Sequence, residues 1–120
     1  MGDAKRVVAA IDDLFFMPAV KDTAKAEGLG IVFAKSKEDA VALAAEAPCF
    51  VLVDMNAIKF SPVELVAALR ALRVPVLGFG AHADVALFKA GQQAGANRIM
   101  ARSAFAGQMP RVFRDFAALI

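Results

Sequence analysis

Three aspartates have the type and spacing to share one site: Asp12 and Asp13 directly follow the apolar run Val7 to Ile11, and Asp54 directly follows Cys49 to Val53. Carboxylates at the tips of two neighbouring buried strands make a cation site. Two unit charges about 4 Å apart repel by roughly 4 kcal/mol at an effective dielectric near 20, so the acids need a counter-charge. Either Mg2+ enters or a basic side chain substitutes for it. Carboxylate oxygens beside a backbone carbonyl suit Mg2+, whereas zinc wants His and Cys ligands, of which this chain has one each. An aspartate so placed is also a nucleophile toward a phosphoryl group, provided that a metal and a cation neutralise the transferred oxygens. Taken singly, Asp12 or Asp13 also reads as a helix N-cap. Capping leaves the third acid unexplained.

Five short apolar runs alternate with five longer amphipathic stretches, an order that predicts a parallel sheet with crossover helices on both faces. The strands are expected at Lys5 to Ile11, Gly30 to Ala34, Cys49 to Val53, Val74 to Phe79 and Asn97 to Ala101. Their nearly continuous apolar character suits a sheet covered on both sides. In a doubly wound sheet of order 2-1-3-4-5, the topology reverses between the first and third strands, and ligands bind outside the carboxyl ends there. The three acids fall at that edge. Ser61-Pro62-Val63-Glu64 predicts an N-cap, an N1 proline and an N3 glutamate, starting the third helix at about Pro62. Ser36-Lys37-Glu38-Asp39 is a weaker signal of the same kind, with Pro48 as a stop, and Gly28 and Gly95 suit helix ends. Met109, Val112, Phe113 and Phe116 form one buried stripe on the last helix.

The 120 residues are expected to form one domain, residues 1–120, large enough for its own core. Hydrophobic residues at 59% against 22% charged argue against disorder. No apolar run approaches the roughly 20 residues of a membrane span, and MGDAKR reads as neither a secretory leader nor a myristoylation signal. A soluble chain with no membrane partner is expected. The lone Cys49 fits a core thiol in a reducing, cytoplasmic compartment. A net charge of +2 with scattered basic residues leaves no footprint for nucleic acid.

As a set, the acid pair after the first strand, Asp54 closing the third, Pro75-Val76 at the fourth and Ala94-Gly95-Ala96 before the fifth resemble the receiver domain of response regulators, from about Lys5 to Phe116. The resemblance implies a flavodoxin-like (βα)5 fold in bacterial two-component or phosphorelay signalling. Position by position it implies Asp54 as phosphoacceptor, Asp13 as a direct Mg2+ ligand, Asp12 as an outer-sphere partner and Asn56 as the residue whose carbonyl completes the metal site. Departures concern the switch. Gly80 stands where receivers carry Thr or Ser, Ile99 where they carry an aromatic rotamer switch, and Arg102-Ser103 where they carry Lys-Pro with a cis bond. Ile58 and Pro62 also depart in the loop after Asp54.

Three roles are open for Arg102: a salt bridge to Asp54, a hold on a phosphoryl oxygen, or a solvated strand end. Ala81 and His82 neighbour the site in the loop after Gly80, and His82 is of a type that titrates near neutral pH. An ordinary loop histidine is the competing reading. Phe15 or Phe16 could lid the site or pack on the first helix. Two functions follow: an atypical stand-alone receiver acting by protein interaction with phosphorylation of Asp54, or a phosphorylation-independent pseudo-receiver whose acids Arg102 neutralises. The implied partners are a sensor kinase or other signalling protein, or a second copy through helix 4, strand 5 and helix 5, near Lys89, Gln92, Arg98 and Arg111. An enzyme is not expected. Asn56 stands where haloacid-dehalogenase-like phosphatases need their second Asp, no glycine-rich dinucleotide turn follows the first strand, and His82 does not match a cobalamin motif.

Overall fold

Unbroken apolar runs become strands here because both faces of the sheet are covered, and their pleat divides the core in two. The computed structural model describes residues 5–119. Its strands are β1 (Arg6–Ala10), β2 (Gly30–Phe33), β3 (Phe50–Asp54), β4 (Val76–Gly80) and β5 (Arg98–Ala101). Its helices are α1 (Phe16–Ala26), α2 (Lys37–Ala44), α3 (Pro62–Ala71), α4 (Val85–Ala94) and α5 (Arg102–Ala117). The five strands are parallel in the order 2-1-3-4-5, as expected. None of the described helices is long and apolar enough to cross a membrane.

Successive β1 residues go to opposite cores. Val7, Ala9 and Ile11 join Phe50, Leu52, Leu77 and Phe79 under α1 and α5, where Met109, Val112, Phe113 and Phe116 supply the expected stripe. Val8 and Ala10 join Val51, Val53 and Val76 under α2 and α3. Cys49 is buried, its thiol donates to the Arg6 carbonyl, and burial pushes its pKa up. It behaves as core.

Several boundaries differ from expectation for identifiable reasons. β4 begins at Val76 rather than Val74, because the Val74 N–H turns back to the Leu69 carbonyl and closes α3. It extends to Gly80, pairing with Ala101. Ser61 is not a side-chain cap: it sits at φ 47°, ends a 3-10 turn over Ile58–Phe60, and offers no hydroxyl bond to α3. The weaker signal is the real one. Ser36 Oγ accepts from Asp39 N at 3.0 Å, and Asp39 Oδ2 accepts from Lys35 N at 2.8 Å. Gly28 and Gly95, at φ 74° and 117°, end α1 and α4 as read from the sequence.

Replacing Ser36 by Ala is therefore expected to cost about 1 kcal/mol. Ser61→Ala should stay within about 0.5 kcal/mol. Urea unfolding midpoints at constant slope measure both. Equal losses would return a capping role to Ser61.

Candidate functional site

β1 and β3 are neighbours in register, so the chain leaving each one emerges side by side at the carboxyl edge. Asp54 closes β3 and is buried, while Asp13 lies in the turn between β1 and α1, about one-third exposed. Arg102, the first residue of α5, reaches both. Its Nη1 donates to Asp13 Oδ2 at 2.9 Å and its Nη2 to Asp54 Oδ1 at 3.2 Å. Of the three roles open for Arg102, the salt bridge to Asp54 is formed, and Asp13 joins it. A forked guanidinium can serve two carboxylates at once, which an ammonium does less well.

The remaining bonds hold the acids still. Asp13 Oδ1 accepts from Phe15 N at 2.8 Å and Phe16 N at 3.3 Å, so one oxygen caps the turn into α1 while the other meets Arg102. Capping and charge sharing coexist in one carboxylate. Asp54 Oδ1 also accepts from Asn56 N at 3.0 Å. Behind the guanidinium stand two aromatic rings, Phe16 and Phe79, each with its centroid 5.1 Å from Arg102 Cζ. Phe79 in turn stacks on Phe105 at 4.7 Å and 11°.

Asp12 takes no part in this cluster: it is exposed, and Lys59 lies 3.8 Å from its Oδ1. Phe16, not Phe15, packs at the site, since Phe15 is 95% exposed. His82 is exposed and makes no hydrogen bond or ion pair to the site among the described residues. Asn56 folds its side chain across the loop, where Oδ1 accepts from Ala81 N at 2.8 Å. That carboxamide lies against Gly80, where an added Cβ would stand 3.0 Å from Asn56 Oδ1 and 3.3 Å from Met55 Cβ. Glycine here leaves room for Asn56.

Ile99 is equally fixed. A Cβ at Gly91 of α4 would lie 2.5 Å from Ile99 Cδ1, and one at Gly78 would lie 3.2 Å from Ile99 Cγ1. Met55 fills the rest of the space left by Gly78, Gly80 and Gly91. The Phe16, Phe79 and Phe105 platform was not anticipated. The signal available was a chain with ten Phe and no Trp or Tyr, one of them ending a strand between two glycines.

The donor set in this arrangement does not fit Mg2+. The oxygens that face each other already accept from Arg102, and among the described residues no three His, Cys, Asp or Glu side chains converge to hold a metal. A double and a single positive charge about 4 Å apart would repel by roughly 8 kcal/mol at an effective dielectric near 20. The guanidinium supplies the counter-charge instead.

No protein-family model matches the chain, and no curated protein matches it in sequence. Solved structures match its fold. The signal receiver domain of the response regulator NarL from Mycobacterium tuberculosis is 22% identical at a TM-score of 0.81, with 98% of each chain covered. The receiver domain of a sensor histidine kinase from Pseudomonas aeruginosa, with a magnesium ion coordinated in its active-site cleft, is 16% identical at 0.79, covering 97% of this chain and 99% of that one. A CheY-like receiver domain from Methanospirillum hungatei is 16% identical at 0.79, covering 97% and 95%. The fold is that of receiver domains.

Burial raises the Asp54 pKa above the ordinary carboxylate range and Asp13 adds to this, while the Asn56 N–H and Arg102 pull it down. A raised folded value costs nothing below the unfolded value, about 3.9. The cost grows as pH rises through the folded value. Arg102→Ala removes the main compensating charge and is expected to lower stability at pH 7 by about 1–3 kcal/mol. The deficit should shrink as the pH falls below the carboxylate range, where Asp54 is protonated in both states. Denaturant midpoints of both proteins across pH 3 to 7 measure this; a constant gap would place the loss elsewhere.

Proposed function

We propose that this chain is a receiver-type signalling module that acts by docking to other proteins without being phosphorylated. The observation that carries this reading is the two-pronged bond of Arg102 to Asp13 and Asp54. Phosphoryl transfer to an aspartate needs a cation beside the transferred oxygens and an open carboxylate. Here the positive group is part of the chain and bonds the nucleophile itself. Asp54 is the position of a phosphoacceptor, Asp13 and Asn56 those of metal partners, and Asp12 that of an outer-sphere partner. In this reading all four are retained scaffolding.

The switch positions support the same conclusion. Receiver output depends on a hydroxyl drawn toward the phosphoryl group and an aromatic ring that follows it. Gly80 offers no hydroxyl, and Ile99 is wedged against Gly91 and Gly78. A half-buried aliphatic side chain packed there has no second, polar-tipped position to alternate with, which in this reading gives the face of α4, β5 and α5 one shape. Lys89, Gln92, Arg98 and Arg111 are exposed there and are the proposed contacts with a signalling partner, a kinase or a second copy of this chain. The setting in this reading is two-component-type signalling in the cytoplasm of a bacterium.

One observation favours a second reading, phosphorylation at Asp54: its Oδ2 accepts no hydrogen bond among the described residues. Arg102 would then hold the phosphoryl oxygens. Intact-mass spectrometry after incubation with acetyl phosphate and Mg2+ separates the two readings. No phosphate adduct is expected on the wild type, matching Asp54→Asn. An adduct on the wild type alone would sink the phosphorylation-independent reading.

Calorimetry gives a second check on the same site. Millimolar Mg2+ is expected to give no binding heat with the wild type and a measurable one with Arg102→Ala, whose carboxylates have lost their counter-charge. Binding to both proteins with equal affinity would show that the arginine does not plug the site.

A further inference from the structure

At the opposite edge of the sheet, the ends of α3 and α4 enclose a second concentration of charge, remote from Arg102. A cavity of about 390 Å3 is lined by Arg70, Arg73, Val74, Pro75, Gly95 and Asn97. Both arginines are exposed, and among the described residues neither forms an ion pair or donates a side-chain hydrogen bond. Every described salt bridge uses other cations. The helix ends do not account for both charges: two C-termini contribute about half a negative charge each, against two guanidiniums, leaving roughly one positive charge in excess.

Local geometry holds these groups around the cavity. Arg70 lies along Gly95, where an added Cβ would stand 2.9 Å from its Cγ, Cδ and Nη1, and the φ of 117° itself requires glycine. Arg73 sits at φ 61°, with its N–H bonded to the Arg70 carbonyl and that of Val74 to the Leu69 carbonyl. This is a helix-ending position where glycine is the ordinary choice. Ala47 adopts the same conformation at φ 58°, so the backbone alone carries no message. What distinguishes residue 73 is the second guanidinium that it brings to the cavity wall. Asn97 adds an oriented donor: its Oδ1 accepts from Val76 N at 2.8 Å, which leaves its NH2 group without an acceptor among the described residues.

We propose that this cavity binds a phosphate-type oxyanion, held by the forks of Arg70 and Arg73 and by the Asn97 amide. Planar guanidiniums match phosphate oxygens in pairs, and Val74 and Pro75 give an apolar floor for whatever carries the phosphate. The site does not depend on the reading of Asp54 and Arg102.

Inorganic pyrophosphate titrated into the full chain, followed by backbone amide shifts against sodium chloride of equal ionic strength, tests it. Saturable shifts are expected at residues 70–75 and 95–97. Arg70→Gln and Arg73→Gly should each weaken binding by at least about tenfold. Arg73→Gly relieves a left-handed non-glycine residue, so its melting temperature should rise while its affinity falls, which separates lost binding from misfolding. A phosphoserine peptide run in parallel identifies the source, the tighter ligand marking either a free small molecule or a modified protein. Shifts that do not saturate, saturation centred on Arg102, or an Arg73→Gly protein of undiminished affinity would each overturn the proposal.

Discussion

One guanidinium balanced against two carboxylates organises the carboxyl edge of this sheet. Asp54 is nearly inaccessible to solvent at 3% exposure, so its charge must be answered by the protein. Arg102 answers it from an otherwise unfavourable place, the first residue of α5, where a helix N-terminus repels cations and no acid lies in the first turn. The interaction is therefore mutual. The acids of β3 and the first loop supply the negative charge that α5 lacks in its own sequence, and the arginine lets those acids sit together. The aromatic pair behind it, Phe16 and Phe79, limits where the guanidinium can go.

The fold was readable because both of its determinants are local. Continuous apolar runs set the strands, and Gly28, Gly95 and Ser36 punctuate the helices through requirements that act within a few residues. Ser61 misled because a serine followed by proline and glutamate satisfies the capping pattern in composition. The preceding 3-10 turn nevertheless forces it into a left-handed conformation in which its hydroxyl cannot reach the helix. That turn is set by how Phe60 buries under α3, which is tertiary information.

The site was legible in outline for a similar reason. Strand order alone brings Asp13 and Asp54 to one edge, and a basic residue at the end of the fifth strand was a visible candidate for their counter-charge. Its division between two acids was not visible, since it depends on the rotamers of a long side chain 89 residues from Asp13 in sequence. Asp12 differs from its neighbour by one position and faces another way, toward Lys59. Adjacent acids in a turn seldom share a direction, and sequence spacing does not reveal which one points inward.

Gly78, Gly80 and Gly91 have a meaning that their number conceals. Each leaves a gap occupied by a side chain from elsewhere: Asn56 beside Gly80, with Met55 and Ile99 between β4 and α4. An added Cβ at position 80 would lie 3.0 Å from Asn56 Oδ1 and one at 91 would lie 2.5 Å from Ile99 Cδ1, so a larger residue at either place needs its neighbour to shift. Side chains and gaps are interdependent at this seam: enlarging any one of the three glycines obliges Asn56, Met55 or Ile99 to move.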